Sequence, residues 1–179
     1  TLTVVTIGAL ALFYLIKIAP YRAQRWLVFL NPEADPLGIG YQIKQSLIAV
    51  GSGGIFGLGL GMSLQKFGFL PQSMTDSIFA VFSEETGFVG ASILILLFLT
   101  ILWRGFRISK ESNDKFLKLT ALGISSWFSL QALANIGAMI GILPLAGIPL
   151  PFISYGGSHL AAEMAGLGVL LNISKGVRL

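Results

Sequence analysis

The chain has 179 residues, of which 54% are hydrophobic and 11% charged, with a net charge of +4 and no cysteine. A soluble domain carries about 25% charged residues, so this composition excludes a soluble enzyme and a disordered chain and predicts a membrane-embedded protein. The lack of cysteine excludes a disulfide framework, a thiolate nucleophile and a cysteine metal site.

Uncharged stretches predict where the chain crosses a membrane, because a spanning helix needs about 20 predominantly apolar residues. They predict an all-α integral membrane protein, a polytopic helix bundle with five spans in one membrane domain of residues 1–179. The first stretch starts at Thr1 without the basic start or cleavage site of a signal peptide, so we expect a truncated span and a piece of a larger protein. The predicted spans are residues 1–19, 42–64, 78–103, 117–142 and 159–174.

Glycines recur at four-residue spacing in the second predicted span, at Gly53, Gly57 and Gly61. Such spacing lets helices approach closely, which favours a helix-packing role. A phosphate-binding loop is excluded because no Gly-Lys-Ser/Thr follows. A dinucleotide-binding turn is excluded because no soluble strand–helix unit surrounds the glycines.

Two connections, residues 65–76 and 143–158, are too apolar for ordinary surface loops. The last span, at 1.5 Å per residue, covers only about 24 Å of a core about 30 Å thick. We therefore predict that the Pro/Gly-rich connection before it is partly re-entrant. Non-helical backbone at that depth is tolerated only where protein buries it or water reaches it, so we expect a cavity open to the outer face with both connections as walls.

Basic residues predict the orientation, because Lys and Arg concentrate in cytoplasmic connections. The remaining connections carry a single cation, Lys66, and are predicted to face outward. The positive charge then reports topology and contact with anionic headgroups, and nucleic acid is not an expected partner. The basic residues assigned to the cytoplasmic side follow the first, third and fifth spans: Arg22, Arg25, Arg104, Arg107, Lys110, Lys115, Lys118, Lys175 and Arg178.

Asp76 and Lys66 are ionisable residues in the first outer connection, where charge is costly and is by default a functional candidate. Asp76 precedes an apolar run, so Thr75 or Asp76 could cap a helix by accepting first-turn N–H groups. Chemistry at the Asp76 carboxylate is compatible with that role. Lys66 could snorkel to headgroups or meet a phosphate.

Further polar residues lie deeper and favour structural roles. At least one of Glu84 and Glu85 must face the interior, where a cation or hydroxyl would pair it. His159 and Glu163 have i,i+4 spacing and favour a side-chain pair. Asn135 is expected to hydrogen-bond across helices.

Short motifs follow one another in the order found in the shape, elongation, division and sporulation (SEDS) family. The chain resembles the C-terminal half of FtsW/RodA-like members over nearly its whole length, and GLGMSLQK favours the division branch over the elongation branch. It departs from the usual pattern at Gln72, Met74 and His159. The motifs are NP (31–32), DPLG (35–38), YQIKQSLIAVGSGG (41–54), GLGMSLQK (59–66), LP (70–71), TDSIFA (75–80), EETG (84–87), Asn135, GILP (141–144), GIPLPFISYGGS (147–158) and LNIS (171–174).

The resemblance implies a peptidoglycan glycosyltransferase that polymerises lipid II, an undecaprenyl-pyrophosphate-linked disaccharide peptide, outside the bacterial cytoplasmic membrane during division. Asp76 would be the base or a metal-assisted stabiliser, since a carboxylate can activate a sugar hydroxyl. A cation, either Lys66 or a divalent Mg²⁺ or Mn²⁺, would offset the charge of the leaving pyrophosphate. Gln65, Thr75 and Ser154 would line the site.

The implied partners are a class B penicillin-binding protein transpeptidase and other divisome proteins. Two other classes remain open. A lipid II flippase predicts access from both sides and polar residues through the core, and a non-catalytic division scaffold predicts no need for the Asp76 carboxylate.

Overall fold

The computed structural model describes residues 20–176, without the side chains of Pro20 and Arg22. The first predicted span and Arg178 therefore lie outside the described residues. Within them the chain is helical and contains no β-strand, as predicted. The helices are α1 (Pro20–Leu30), α2 (Ile39–Ser52), α3 (Ile78–Glu111), α4 (Lys115–Met139) and α5 (Gly157–Lys175), with a 3-10 turn at Pro32–Ala34.

The helices α3, α4 and α5 lie where the last three spans were predicted. Among the described residues, α3 is the one helix that is long and apolar enough to cross a membrane by length and composition. The crossing of α4 and α5 remains a prediction. The three helices pack side by side, with the most extensive contact between α3 and α4.

The second predicted span is not a continuous helix, and the expectation of a helix over residues 42–64 is wrong. The helix α2 has 14 residues, which reach about 21 Å of a core about 30 Å thick. Beyond it, no helix forms before α3. Glycines cause the difference, because left-handed backbone is open to residues without a Cβ. The φ angles are 54° at Gly54, 81° at Gly57, 108° at Gly59 and 82° at Gly61.

The helix α3 is broken at Gly87, where φ is 68°. The glycine segment of residues 53–61 forms the backbone hydrogen bonds that the helix cannot form at this break. The N–H groups of residues 88–89 donate to the carbonyls of residues 54–55, at 2.9 and 3.1 Å. In return the N–H groups of residues 58–59 donate to the carbonyls of residues 84–85, both at 3.0 Å. The break therefore leaves none of these backbone groups unpaired, which a hydrocarbon surrounding requires.

Two glycines make this exchange sterically feasible. A Cβ on Gly57 would lie 2.1 Å from the Glu85 carbonyl oxygen, and one on Gly87 would lie 2.3 Å from the Gly57 nitrogen. Close backbone approach was predicted from the glycine spacing, but it joins a loop to a helix break rather than two helices.

The segment of residues 20–77 begins and ends at the same end of the bundle. At this end the Gln42 amide donates to the Ser77 hydroxyl at 3.0 Å. The Arg25 guanidinium lies near Gly147, 3.6 Å from the position of a Cβ there. The cations from Arg104 to Lys118 lie at the far end of α3 and the start of α4. The prediction that Arg25 shares their side is therefore wrong, because the segment read as a crossing helix turns back.

The Pro/Gly-rich connection between α4 and α5 folds into the interior rather than over the surface. Leu145, Leu150, Pro151 and Ser154 are buried. Leu150 packs in the main apolar cluster together with Phe79 and Met139. This burial agrees with the predicted inward course of the connection.

Candidate active site

Asp76 lies in a main chain that later elements hold in place. Three successive carbonyls, at residues 74–76, each accept one hydrogen bond. The donors are, in order, the Tyr155 N–H (2.9 Å), the Ser154 hydroxyl (2.7 Å) and the Asn135 side-chain amide (2.7 Å). Asn135 also donates to the Ile148 carbonyl at 2.7 Å. Both acceptors lie outside helices, so the predicted bond across helices is instead a pair of bonds from α4 to two connections. The Pro/Gly-rich connection and α4 thus fix the backbone beneath the carboxylate.

The Asp76 carboxylate is partly buried and does not cap α3. Ser77 is the N-cap residue and makes no side-chain cap bond. The Thr75 hydroxyl instead bonds to the Gln72 side-chain oxygen at 2.7 Å. The capping role suggested for Thr75 or Asp76 is therefore wrong. In the part of the chain that the structure describes, the carboxylate has no hydrogen bond and no ion pair, so it is available to a ligand.

Arg25 is the cation beside Asp76. Gly147 has a φ of 67°, and a Cβ on it would lie 3.3 Å from Asp76 Oδ2 and 3.6 Å from Arg25 Nη2. The carboxylate and guanidinium therefore border the same open point, but they form no ion pair, since no N···O distance between them is within 4.0 Å. The Arg25 Cζ lies 5.8 Å from the centroid of the Tyr21 ring, within cation–π range.

Sequence reasoning missed Arg25 because it assigned this residue to the cytoplasmic side. The signal that could have placed it correctly is the density of glycine in residues 51–61, which argues against a crossing helix after α2.

Lys66 already has a carboxylate partner. Its Nζ lies 2.7 Å from Glu85 Oε1 and 2.7 Å from the Gly61 carbonyl oxygen, so it braces the glycine segment against α3. No contact joins it to Asp76 among the described residues. Lys66 is thus not the sole cation at this end of the bundle, and its predicted role as a pyrophosphate contact stays a prediction.

Glu84 is buried and holds the loop that leads to Lys66. It accepts the Ser63 hydroxyl, the Leu64 N–H at 3.2 Å and the Gln65 N–H at 3.4 Å. The expectation that Glu84 or Glu85 would pair with a hydroxyl or cation is confirmed for both. Gln65 keeps a buried side-chain oxygen without a partner, so its predicted role at the substrate is untested.

His159 and Glu163 form the predicted i,i+4 contact on α5, with Nε2 and Oε1 2.6 Å apart. Glu163 is fully buried. Neither side chain contacts the Asp76 carboxylate.

The expected divalent cation would find one protein carboxylate here. No group of three or more His, Cys, Asp or Glu side chains that could hold a metal occurs in residues 20–176. Asp76 could ligate Mg²⁺ only together with substrate phosphates, as Mg²⁺ sites often do.

An apolar groove of about 400 Å³ opens beside the site. It is lined by Trp127, Leu130, Gln131 and Ala134 of α4 and by Ile148. Ile148 follows Gly147, and its carbonyl shares the Asn135 amide with that of Asp76. The groove therefore lies on the outside of α4, and its lining residue Ile148 is linked to the Asp76 backbone through Asn135.

Comparisons with known proteins give one family. The family model for cell cycle proteins of the FtsW, RodA and SpoVE group matches residues 1–179. Stage V sporulation protein E of Bacillus subtilis is 50% identical over 169 residues, which cover 94% of this chain and 46% of that protein. A probable peptidoglycan glycosyltransferase FtsW of Trichlorobacter lovleyi is 45% identical over 93% of this chain and 44% of its own length. The chain thus spans about half the length of the curated relatives it matches.

Two solved structures share the fold. A chain of a peptidoglycan synthase complex, solved to describe how polymerization and crosslinking are coordinated, has a TM-score of 0.70 and 30% identity. The match covers 97% of this chain and 48% of that one. The rod shape determining protein RodA of Thermus thermophilus, as an Asp-to-Ala mutant, has a TM-score of 0.54 and 34% identity over 59% of this chain and 35% of its own.

Proposed function

Because the chain belongs to the FtsW, RodA and SpoVE family of cell cycle proteins, we propose that it is the C-terminal half of a peptidoglycan glycosyltransferase that polymerises lipid II. Relatives named as probable peptidoglycan glycosyltransferases FtsW support the activity. They also support the division branch of the family. The proposed location is the bacterial cytoplasmic membrane, with several crossing helices and with the Asp76 end facing outward.

One observation carries the proposal: the Asp76 carboxylate lies unpaired on a backbone held at three consecutive carbonyls, with Arg25 across Gly147. A reaction that joins a hydroxyl to a phosphate-activated sugar needs a base and a nearby positive charge. This pair of residues offers both at one point.

The reaction joins two lipid-linked sugars. The 4-hydroxyl of one sugar attacks the anomeric carbon of the other, a C–O bond forms, and the bond from that carbon to the pyrophosphate oxygen breaks. Asp76 accepts the hydroxyl proton, which is typically worth about 10²–10⁴-fold in rate. The Arg25 guanidinium stabilises the charge on the departing pyrophosphate, because its planar fork matches phosphate oxygens.

The groove beside α4 fits the lipid part of this substrate. Its lining is almost wholly apolar, and one lining residue, Ile148, directly follows the glycine between Asp76 and Arg25. We propose that the first isoprene units of the polyprenyl tail lie there while the pyrophosphate reaches Arg25. Thr75 and Ser154 would act through the backbone of Asp76, and Gln65 and Lys66 would contact substrate only from the neighbouring loop.

A divalent cation, Mg²⁺ or Mn²⁺, remains part of the proposal as a second source of positive charge on the pyrophosphate. Asp76 would hold it together with phosphate oxygens. A class B penicillin-binding protein is the proposed partner, in keeping with the synthase complex that this chain resembles. Other divisome proteins are proposed partners on the family resemblance alone.

The test uses the full-length protein that carries this chain, purified with its transpeptidase partner and supplied with labelled lipid II. Asp76→Asn keeps the size of the side chain and removes the base, so we expect loss of glycan chains by at least about 10²-fold. Asp114→Asn, which alters an exposed carboxylate at the other end of α4, is the matched control and should polymerise normally.

The same assay separates the alternatives. Movement of lipid II across vesicles without chain formation would indicate a flippase. Neither chains nor movement, with division intact in cells carrying Asp76→Asn, would indicate a scaffold.

A further inference from the structure

Glu163 is a fully buried carboxylate that the proposed reaction does not use. It projects from α5 toward the Pro/Gly-rich connection. Its Oε2 accepts the Phe152 N–H at 2.8 Å, and its Oε1 lies 2.6 Å from His159 Nε2. A buried charged group is costly unless it is paired and hydrogen-bonded. The Phe152 N–H is the one hydrogen-bond donor that the described residues offer to this carboxylate, because the close contact of Oε1 with His159 lacks hydrogen-bond geometry.

Gln131 of α4 extends the cluster to the start of the same turn. Its Nε2 lies 3.2 Å from His159 Nε2 and donates to the Pro149 carbonyl at 2.9 Å. Glu163, His159 and Gln131 therefore hold both sides of the turn of residues 149–153, through the carbonyl of its first residue and the N–H of Phe152.

The turn contains a strained residue. Phe152 has a φ of 63°, a left-handed conformation that a residue with a bulky side chain adopts only where its surroundings impose it. Its ring packs against Phe128 with centroids 5.1 Å apart. The bond to Glu163 fixes the N–H of this residue, and thereby the direction of the chain that follows.

The chain that follows is the segment that holds Asp76. The Ser154 hydroxyl accepts the Leu150 N–H at 2.7 Å and donates to the Thr75 carbonyl at 2.7 Å. The Tyr155 N–H donates to the Met74 carbonyl at 2.9 Å. A shift of the turn would thus move two of the three bonds that set the Asp76 backbone.

We propose that Glu163, oriented by His159, is a positioning residue for the reaction: it clamps the left-handed turn at Phe152 and through Ser154 and Tyr155 fixes the Asp76 carboxylate. The inference rests on the proposed function for its kinetic consequence. The structural link between Glu163 and the turn is independent of the proposed function.

Two substitutions at one position separate the hydrogen bond from the charge. Glu163→Gln retains a carbonyl oxygen for the Phe152 N–H and a polar group beside His159 Nε2. Glu163→Leu fills a similar volume and loses the hydrogen bond and the polar contact. Misplacing reacting groups by about 1 Å can cost about 10²-fold. We therefore expect Glu163→Leu to lower kcat by about that factor with little change in KM, and Glu163→Gln to retain most of kcat.

The kinetic experiment uses the full-length protein with its partner and labelled lipid II, and it records kcat, KM and the melting temperature of each variant. An unchanged kcat in Glu163→Leu would overturn the proposal. So would a Glu163→Gln variant that is as impaired as Glu163→Leu, since the charge rather than the hydrogen bond to Phe152 would then matter. A rise in KM alone would place Glu163 in substrate binding, also against the proposal.

Hydrogen exchange of the same proteins tests the clamp without turnover. The amides of Phe152 and Tyr155 should lose protection in Glu163→Leu and keep it in Glu163→Gln, while α3 stays protected in both. Equal protection of these amides in all three proteins would overturn the clamp even if the protein proves to be no glycosyltransferase. Wild-type protein without glycan chains, together with the expected exchange pattern, would refute the proposed function alone.

If Glu163→Leu cannot be purified, a second variant tests the clamp at Phe152. Phe152→Gly adopts a φ of 63° without strain, so the double substitution Phe152→Gly/Glu163→Leu should fold and regain part of the lost kcat. A double variant that folds and remains as slow as Asp76→Asn would contradict the clamp.

Discussion

At the residue scale, the site depends on two opposite charges that do not pair with each other. Asp76 makes no ion pair although Arg25 borders the same open point, because the glycine between them leaves a gap instead of a contact. A direct salt bridge would satisfy both charges and leave less for a substrate. The separation keeps the carboxylate able to take a proton and the guanidinium able to take an anion.

Arg25 yields a prediction at this scale. Arg25→Gln removes the cation beside Asp76, so under the proposed mechanism stabilisation of the departing pyrophosphate is lost. We expect kcat for polymerisation of lipid II to fall by about 10²–10³-fold, the range found when one preorganised donor is removed from a developing negative charge. Arg25→Lys keeps the charge but lacks the planar guanidinium group, so its kcat should lie between those of the wild type and Arg25→Gln.

Arg104→Gln is the control for that measurement. Arg104 is an exposed cation on α3 far from Asp76, so its loss changes the net charge equally and should leave kcat unaltered. Similar kcat in Arg25→Gln and wild type would remove Arg25 from the mechanism.

Individual residues were predictable from the sequence where local spacing decides the contact. The His159–Glu163 pair follows from i,i+4 spacing, and the partners of Glu84 and Glu85 follow from the cost of a bare carboxylate in apolar surroundings. Arg25 could not be found this way. Its position depends on how a segment some thirty residues later turns back, and no local pattern around Arg25 records that.

At the scale of elements, the break in α3 and the glycine segment of residues 53–61 are one unit. Each supplies the hydrogen bonds that the other lacks. The sequence predicted the helices α3, α4 and α5 well because long apolar runs between charges specify them. It misread residues 53–64, since an apolar composition is shared by a membrane helix and by a loop that hydrogen-bonds to one. Most of the large apolar side chains of this loop are exposed.

Gly87 tests this unit. Gly87→Ala would place a Cβ 2.3 Å from the Gly57 nitrogen at a φ of 68°. Left-handed strain and overpacking together cost roughly 2–5 kcal/mol. We expect the free energy of unfolding in detergent to fall by that amount, measured by denaturant titration of the purified protein.

Gly51→Ala provides the comparison. Gly51 lies in α2 with nothing within 4 Å of its missing Cβ, so alanine there should be neutral or stabilising by up to about 1 kcal/mol. Equal stability of the two variants would show that the exchange at Gly87 is not formed.

At the scale of the whole molecule, the charges divide between the two ends of the bundle in a way the sequence rule did not foresee. The cations between α3 and α4 gather at one end, as predicted. Arg25 and Lys66 lie at the other end with Asp76. A count of positive residues per connection treats every cation as a topological signal, whereas these two have carboxylates beside them.

The absence of cysteine allows a direct test of this arrangement, because each introduced thiol is the only one among the 179 residues. Leu37, Gln72 and Asn113 are exposed connection residues. In oriented membranes we expect an impermeant maleimide to label Leu37→Cys and Gln72→Cys from the same side and Asn113→Cys from the opposite side. Labelling of Leu37→Cys and Gln72→Cys from opposite sides would show that residues 42–64 cross the membrane and would contradict the turn-back of the segment of residues 20–77.

The backbone exchange at Gly87 also constrains how the protein is made. The ribosome delivers the glycine segment about thirty residues before the N–H groups of residues 88–89 that it must bond. Until those arrive, the backbone groups of residues 54, 55, 58 and 59 lack the partners that they have in the folded chain. We therefore expect the glycine segment and the first turns of α3 to fold together, so that residues 39–111 form a single unit during synthesis rather than two segments that fold one after the other.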